Sequence, residues 1–408
     1  MFHIATLANG LTVIAEVNER AASAAGGFFV KTGARDESPQ LSGVSHFLEH
    51  MMFKGTKNRS ALDVTFALGK YGAQANAFTS EESTVYYYSC LPEYFGQIFE
   101  IYADMLQPAL DQAEFDTEKG VILEEIALYQ DRPTHVLFES AMKTFFGNNP
   151  AGNSVLGSVE SVGALTREQM LDYFSERYVP SNMVLAASGN VCWEKFLADA
   201  EKYCGGWEDR PTARFYQDFT AEEKQLSLIR ENLQSSHLCL ISAGPSATDE
   251  ERYVANVLAC ILGDSSGSRL YWELVNPGIA DSASVSCDDM DRTGLIYAYA
   301  SCDPANMQLI ADGLGRVLGG AASVTEDELH RALTKLRTRI VLQGESSLRR
   351  LVSIGLGWIY RRDYRSLDSE IARYGDINLE QVKQAARYFT SLERTAVTMV
   401  PAGGNKDQ

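Results

Sequence analysis

The sequence predicts an α+β fold of two homologous α/β-sandwich domains, each an antiparallel-rich sheet with helices packed on it. Three observations point there. The chain has 408 residues, too long for one ordinary domain, so two of roughly 200 are the default. Strand-like and helix-like stretches alternate in both halves, with a polar segment from Gly205 to about Lys224 between them. A weak repeat also relates the halves. Leu165-Thr-Arg-Glu-Gln-Met leads through Tyr173-Phe174 into an apolar strand, and Leu379-Glu-Gln-Val leads through Tyr388-Phe389 into another. The expected division is an N-terminal domain over 1–206, a linker over 207–224 and a C-terminal domain over 225–408.

The elements follow in order. Asn9-Gly10 is a tight-turn pair that makes the start of the chain a hairpin. Ala24 to Thr32 is an apolar strand. A helix follows a loop containing Gly33, Pro39 and Gly43, with Ser42 as its expected N-cap. Ala61 to Lys70 reads as a helix. Gln74 to Ser80 and Ser83 to Leu91 read as strands joined across Glu81-Glu82. Pro92 to Leu106 is an amphipathic helix, Glu114 to Gln130 an acidic one closed by Asp131-Arg132-Pro133, and Thr166 to Tyr178 a third. Ser181 to Asn190 closes the first half as a strand. After the linker, strands are expected at Gln225–Arg230 and His237–Ala243, helices at Asp249–Leu262 and Gly267–Leu274, and strands at Ala280–Cys287 and Gly294–Ser301. Four helices and a strand at Arg394–Val400 complete the chain.

Composition excludes several classes. Hydrophobic residues at 45% and charged residues at 22% are those of a soluble globular protein. A net charge of −18, with no offsetting basic run, argues against nucleic-acid binding. No stretch reaches the roughly 20 apolar residues of a membrane span, and the start lacks the pattern of a secretory signal. The 7 cysteines are scattered without a C-x-x-C pair, which suits reduced packing residues in the cytoplasm.

Residues 46–50 read His-Phe-Leu-Glu-His. At about 100° per residue, His46, Glu49 and His50 share one helical face while Phe47 and Leu48 point away. That face offers two imidazole ligands and a carboxylate able to act as a base. This order is the H-x-x-E-H motif of the inverzincins. The chain has only 6 histidines, so two in one turn is notable. The competing reading is an ordinary surface turn with i,i+4 contacts. A catalytic zinc takes three protein ligands, so a third must come from elsewhere, and the acidic helix at 114–130 is the best carboxylate source.

His46-Phe-Leu-Glu49-His50-Met-Met-Phe-Lys-Gly-Thr56, followed by Val121-Ile-Leu-Glu-Glu125-Ile, resembles the pitrilysin and insulysin family of zinc peptidases. It is most similar to the short branch that contains the mitochondrial processing peptidase and its bacterial relatives. Asn76-Ala-Phe-Thr-Ser80, Tyr178-Val-Pro-Ser-Asn-Met183 and Ser268-Arg-Leu270 are softer matches, so the resemblance spans nearly the whole chain. It implies one Zn2+ per chain held by His46, His50 and Glu125, with Glu49 as the base that deprotonates the zinc-bound water. Glu118, one heptad before Glu125, matches a second acidic residue near the site. The strand Asn76, Ala77, Phe78, Thr79 would receive a peptide substrate by strand addition.

The resemblance also implies half of a clamshell, closed by a second chain. The family's second domain usually supplies an Arg and a Tyr opposite the zinc. Val275 and Asp281 stand at those places here, with Arg269 and Tyr271 nearby. A homodimer is favoured on base rates. A heterodimer whose metal-free partner supplies the Arg/Tyr pair, or a non-catalytic assembly subunit, are the alternatives. A zinc metalloendopeptidase of the cytoplasm is the expectation, with no nucleic-acid or membrane partner.

Overall fold

The computed structural model describes residues 1–402; residues 403–408 of the expected C-terminal domain lie outside them. The first half contains β1 (Phe2–Thr6), β2 (Thr12–Val17), β3 (Ala24–Val30), α1 (Val44–Met51), α2 (Ala61–Lys70), β4 (Gln74–Thr79) and β5 (Thr84–Cys90). It continues with α3 (Phe95–Met105), α4 (Gln112–Gln130), α5 (Pro133–Phe146), α6 (Val159–Ala164), α7 (Arg167–Arg177), β6 (Met183–Gly189) and α8 (Trp193–Cys204). The second half contains β7 (Lys224–Arg230), β8 (Ser236–Ala243), α9 (Glu251–Gly263), β9 (Ser282–Met290) and β10 (Thr293–Cys302). Then come α10 (Met307–Gly319), α11 (Glu326–Gly344), α12 (Ser347–Arg361), α13 (Leu367–Gly375), α14 (Leu379–Ser391) and β11 (Thr395–Pro401).

The two sheets have one topology. The first runs β1-β2-β6-β3-β5-β4 and the second β7-β11-β8-β10-β9. Without the hairpin strand β1, they match strand for strand. Each has one parallel pair, β2 with β6 and β7 with β11, and the remaining matched pairs are antiparallel. The helix-then-strand repeat in the sequence is α7 before β6 and α14 before β11.

Two compact units result, and they interleave along the chain. Unit one comprises 1–128, 153–217 and 342–365; unit two comprises 129–152, 218–341 and 366–408. Each sheet therefore takes one covering helix from the other half of the sequence. In unit one, α12 packs Leu351, Ile354 and Ile359 against Phe29, Val85 and Ala186. Gly355 permits the approach, since a Cβ there would lie 2.3 Å from the Phe29 ring. Adjacent Phe28 points the other way, onto Phe99 and Trp207. Both rings are fully buried, and each such burial stabilises by about 1.5–3 kcal/mol. In unit two, α5 packs Leu137, Ala141 and Phe145 on Cys239, Ile241 and Val397. The other face carries α9, α10, α11 and α14.

Local differences from expectation are few. The sequence reading had no helix at α5, α6 or α8, and it expected four helices after β10 where five occur. The short helix at Gly267–Leu274 is a π-helical turn at Tyr271–Val275. The expected linker has no regular element before its last residue, Lys224, which opens β7, and its first part is anchored within unit one. Trp207 lies against Phe28. The Arg214 guanidinium is buried and donates to Asp36 at 3.0 and 2.7 Å. Asp36 also meets Arg177 at 2.7 Å, while Arg35 pairs with Glu82 at 2.5 Å. This buried cluster fixes the loop that leads into α1.

Removing one partner from a buried charge cluster leaves the others desolvated and unpaired, at about 3–5 kcal/mol. Asp36→Ala is expected to lower unfolding free energy by that amount in urea titration; a loss under about 1 kcal/mol would contradict the role given to the cluster.

Candidate metal centre

Helix α1 is two turns long, and a glycine sets its start. Gly43 takes φ 92°, in the left-handed region, and a Cβ there would meet the Leu156 carbonyl oxygen at 2.6 Å. A larger residue is excluded on both counts. The N-cap is thus Gly43, not Ser42 as the sequence suggested. Val44, Phe47, Leu48 and Met51 are buried, and this apolar stripe turns His46, Glu49 and His50 toward the open side of the helix.

His46 and His50 lie with ring centroids 4.7 Å apart. Helix α4 brings Glu125 to them: its Oε2 is 3.8 Å from His46 Nε2 and 3.6 Å from His50 Nε2. Stacked rings of Phe47 and Phe115, at 4.7 Å, join the two helices. Three ligand atoms, one from each of these residues, lie within 4.8 Å of one another. Tetrahedral ligands about 2.0–2.1 Å from a zinc ion are roughly 3.3 Å apart, and the two His–Glu125 separations lie a few tenths of an ångström above that spacing. Burial, reinforced by neighbouring His50, lowers the His46 pKa to about 4. Its imidazole is therefore neutral, the form that binds metal.

Glu118 lies one turn-pair earlier on α4 and is buried. Its Oε1 is 2.8 Å from His50 Nδ1, and its Oε2 is 2.5 Å from Lys54 Nζ. Burial works against its charge, but hydrogen bonds from Lys54 and His50 hold its pKa below the usual carboxylate value. It therefore accepts from Nδ1 and leaves Nε2 of His50 facing Glu125. His46 Nδ1 is buried without a hydrogen-bond partner. Glu124, about 100° round the helix from Glu125, is exposed.

Glu49 faces strand β4, where Thr79 Oγ1 donates to its Oε2 at 2.6 Å. Burial raises the Glu49 pKa; the Thr79 bond and His50 pull it back, and Glu125 pushes it further up. β4 is the edge of its sheet, paired only with β5. Of the expected peptide-receiving residues, Ala77 is buried and Thr79 bonds Glu49. Phe78 packs with the α12 cluster instead. The Asn76 carboxamide oxygen accepts the Ala77 N–H at 2.9 Å, a local bond within its own strand.

Residues 12–159 match the family described as insulinase (peptidase family M16), and residues 164–336 match the M16 peptidase inactive domain. The chain is 30% identical over 404 residues to the uncharacterized zinc protease YmxG of Bacillus subtilis, covering 98% of each. The chain belongs to the M16 peptidase family. Another relative in the family is the uncharacterized zinc protease SCO5738 of Streptomyces coelicolor, 33% identical, with 94% of this chain and 86% of that protein covered. The crystal structure of a protease from Helicobacter pylori shares the fold at TM-score 0.92 and 20% identity, over 98% of this chain and 99% of that one.

The M16 inactive-domain match begins late in the first half, beyond His-x-x-Glu-His, and runs through much of the second. Val275, standing where the resemblance expects an Arg, packs against the unit-two core. Asp281 accepts from Ser235 Oγ at 3.1 Å. Arg269 does not stand free to replace that Arg. It grips both Glu328 oxygens, at 2.7 and 2.9 Å, and the Gly320 carbonyl. Tyr271 opens the π-helical turn with its ring against Trp272.

Two tests follow from this geometry. Glu118→Gln is expected to weaken zinc binding about 10–100-fold, as loss of an orienting acceptor typically does; a chelator-competition titration checks it, and unchanged affinity would contradict the role. The Arg269 hydrogen bonds lower the Glu328 pKa from 4.5 to about 2. A depressed folded value makes the contribution complete above 4.5 and lost as pH falls toward about 2. The stability deficit of Arg269→Gln is therefore expected to shrink across that window in pH-dependent denaturation, and a pH-independent deficit would exclude the linkage.

Proposed function

We propose that this chain is a zinc metalloendopeptidase acting on unfolded or short peptides. The observation that carries the reading is one site holding an imidazole pair, a converging carboxylate and a separate raised-pKa carboxylate. His46, His50 and Glu125 would hold one zinc ion per chain, and Glu49 is the general base. Zinc held there supplies a Lewis acid that polarises a peptide carbonyl and brings the pKa of water to about 7.

The chain's own groups do the remaining work. Glu49 takes the proton of the attacking water on one carboxylate oxygen and passes it to the leaving amine. Its raised pKa suits both transfers. Thr79 holds the second oxygen and so aims the first. Glu118 fixes the His50 ring. The free edge of β4, over Asn76, Ala77, Phe78 and Thr79, offers backbone groups to an extended peptide. Such pairing reads main chain, so varied sequences are accepted and folded proteins are not.

The N-terminal domain, 1–206, is proposed as the catalytic half and 225–408 as its metal-free duplicate. A second copy of the chain is the proposed partner for closing a chamber. Val275 and Asp281 favour a second reading, in which a metal-free homologue supplies the missing donors. All seven cysteines are free, which supports a reducing cytoplasmic setting. No helix of the described residues is long and apolar enough to cross a membrane.

The test uses a quenched, unstructured peptide and the purified chain with zinc. Cleavage is expected to stop with a chelator and to return with zinc. Glu49→Gln is expected to keep its zinc and to lose about 10²–10⁴-fold in turnover or more. Near-normal turnover in that variant would sink the assignment. Full activity of the chain alone would remove the heterodimer reading.

A further inference from the structure

The first turn of α1 has N–H groups with no partner inside the helix. Gly43 has no side chain to cap them. Glu37, six residues earlier, takes that place from outside the helix. Its Oε2 accepts the Gly43 N–H at 2.7 Å and its Oε1 accepts the Ser45 N–H at 2.8 Å. Ser45 directly precedes His46. Neighbouring Asp36 and Glu82 have arginine partners. The Glu37 carboxyl instead hydrogen-bonds to the start of α1.

We propose that Glu37 is a positioning residue of the metal centre: its two carboxyl oxygens clamp the start of α1 and so fix where His46 and His50 meet Glu125. This rests on the zinc reading given above. The clamp is rigid on the far side as well. Glu37 is 5% exposed. Its backbone N–H donates to the Ala34 carbonyl, and the Asn153 carboxamide donates to that carbonyl too. Asp36, next in chain, is held by Arg177 and Arg214. A second tie steadies the same turn: Ser45 Oγ lies 2.7 Å from the Tyr173 hydroxyl, which lies 2.9 Å from Thr32 Oγ1.

His46 lacks an orienting acceptor of the kind Glu118 gives His50. The direction of its ring must come from the helix that carries it. A shift in the first turn therefore moves His46 directly. Burial raises the Glu37 pKa to about 8, but both oxygens have lone pairs for the two N–H groups in either protonation form. An amide nitrogen has none, so Gln at this position keeps one acceptor and opposes the second N–H with a donor.

The experiment measures zinc affinity by chelator competition on folded protein, alongside Tm, kcat and KM. Glu37→Gln is expected to weaken zinc about 10–100-fold and to lower kcat, with KM within about twofold. A role in folding alone would lower Tm and leave the affinity of the folded protein unchanged. Arg269→Gln, far from the ligands in sequence and engaged with Glu328, is the stability control. It is expected to lower Tm without changing zinc affinity. Glu37→Gln with parent-like zinc affinity overturns the proposal. Should that variant fail to fold, Glu37→Asp is measured; one methylene shorter, it draws the carboxyl back from both N–H groups, and parent-like affinity in it overturns the proposal equally. A parent chain that binds no zinc defeats the zinc reading, and this inference with it. Parent-like affinity in Glu37→Gln or Glu37→Asp, beside a zinc-binding parent, defeats the inference alone.

Discussion

Two imidazoles on one helical turn leave a metal one protein ligand short, and the rest of the site depends on how a second helix meets that turn. Helix α4 meets it with a heptad pair. Glu125 converges on the histidines and Glu118 turns one of them, so two carboxylates on one face have different tasks. The stacked Phe47 and Phe115 rings set the approach of the helices. Lys54, just beyond α1, returns to Glu118 and neutralises it. The loop after α1 is held in turn by Asp104, which accepts from Thr56 and Arg59. The proposed ligands, orienting acceptor and base are thus tied to packed elements of one unit.

The buried charges beside the site belong to the same economy of placement. Arg35, Arg177 and Arg214 with Asp36 and Glu82 cost much of their mutual attraction in desolvation. Their effect on placement is larger than any net stabilisation. They hold a loop without regular structure in one conformation, and that loop delivers Glu37 to the start of the metal helix. The polar segment after α8 supplies Arg214, so the path between the two sheets is part of the support for the chemistry.

Much of this was legible in the sequence, because it is local. The shared face of the histidine pair and Glu49 follows from 3.6-residue periodicity, and that of Glu118 and Glu125 from their heptad spacing, while the choice of Glu125 as third ligand came from the family resemblance. The strands at 74–80 and 83–91 followed from polar punctuation and β-branched or aromatic content. What escaped the sequence is non-local. Ser42 has the chemistry of a cap, but Gly43 alone tolerates the left-handed backbone and the nearby Leu156 carbonyl. Glu37 carries no motif, since its partners are backbone groups across a loop. The exchange of α5 and α12 leaves no periodic mark, because an amphipathic helix does not record which sheet it covers.

X-ray absorption at the zinc edge of the purified chain tests the central claim most directly. The claim predicts one zinc per chain with two imidazole nitrogens at about 2.0–2.1 Å and one carboxylate oxygen at about 2.0–2.2 Å. Zinc with a sulfur ligand at about 2.3 Å, or no stoichiometric zinc after metal-replete purification, would contradict it.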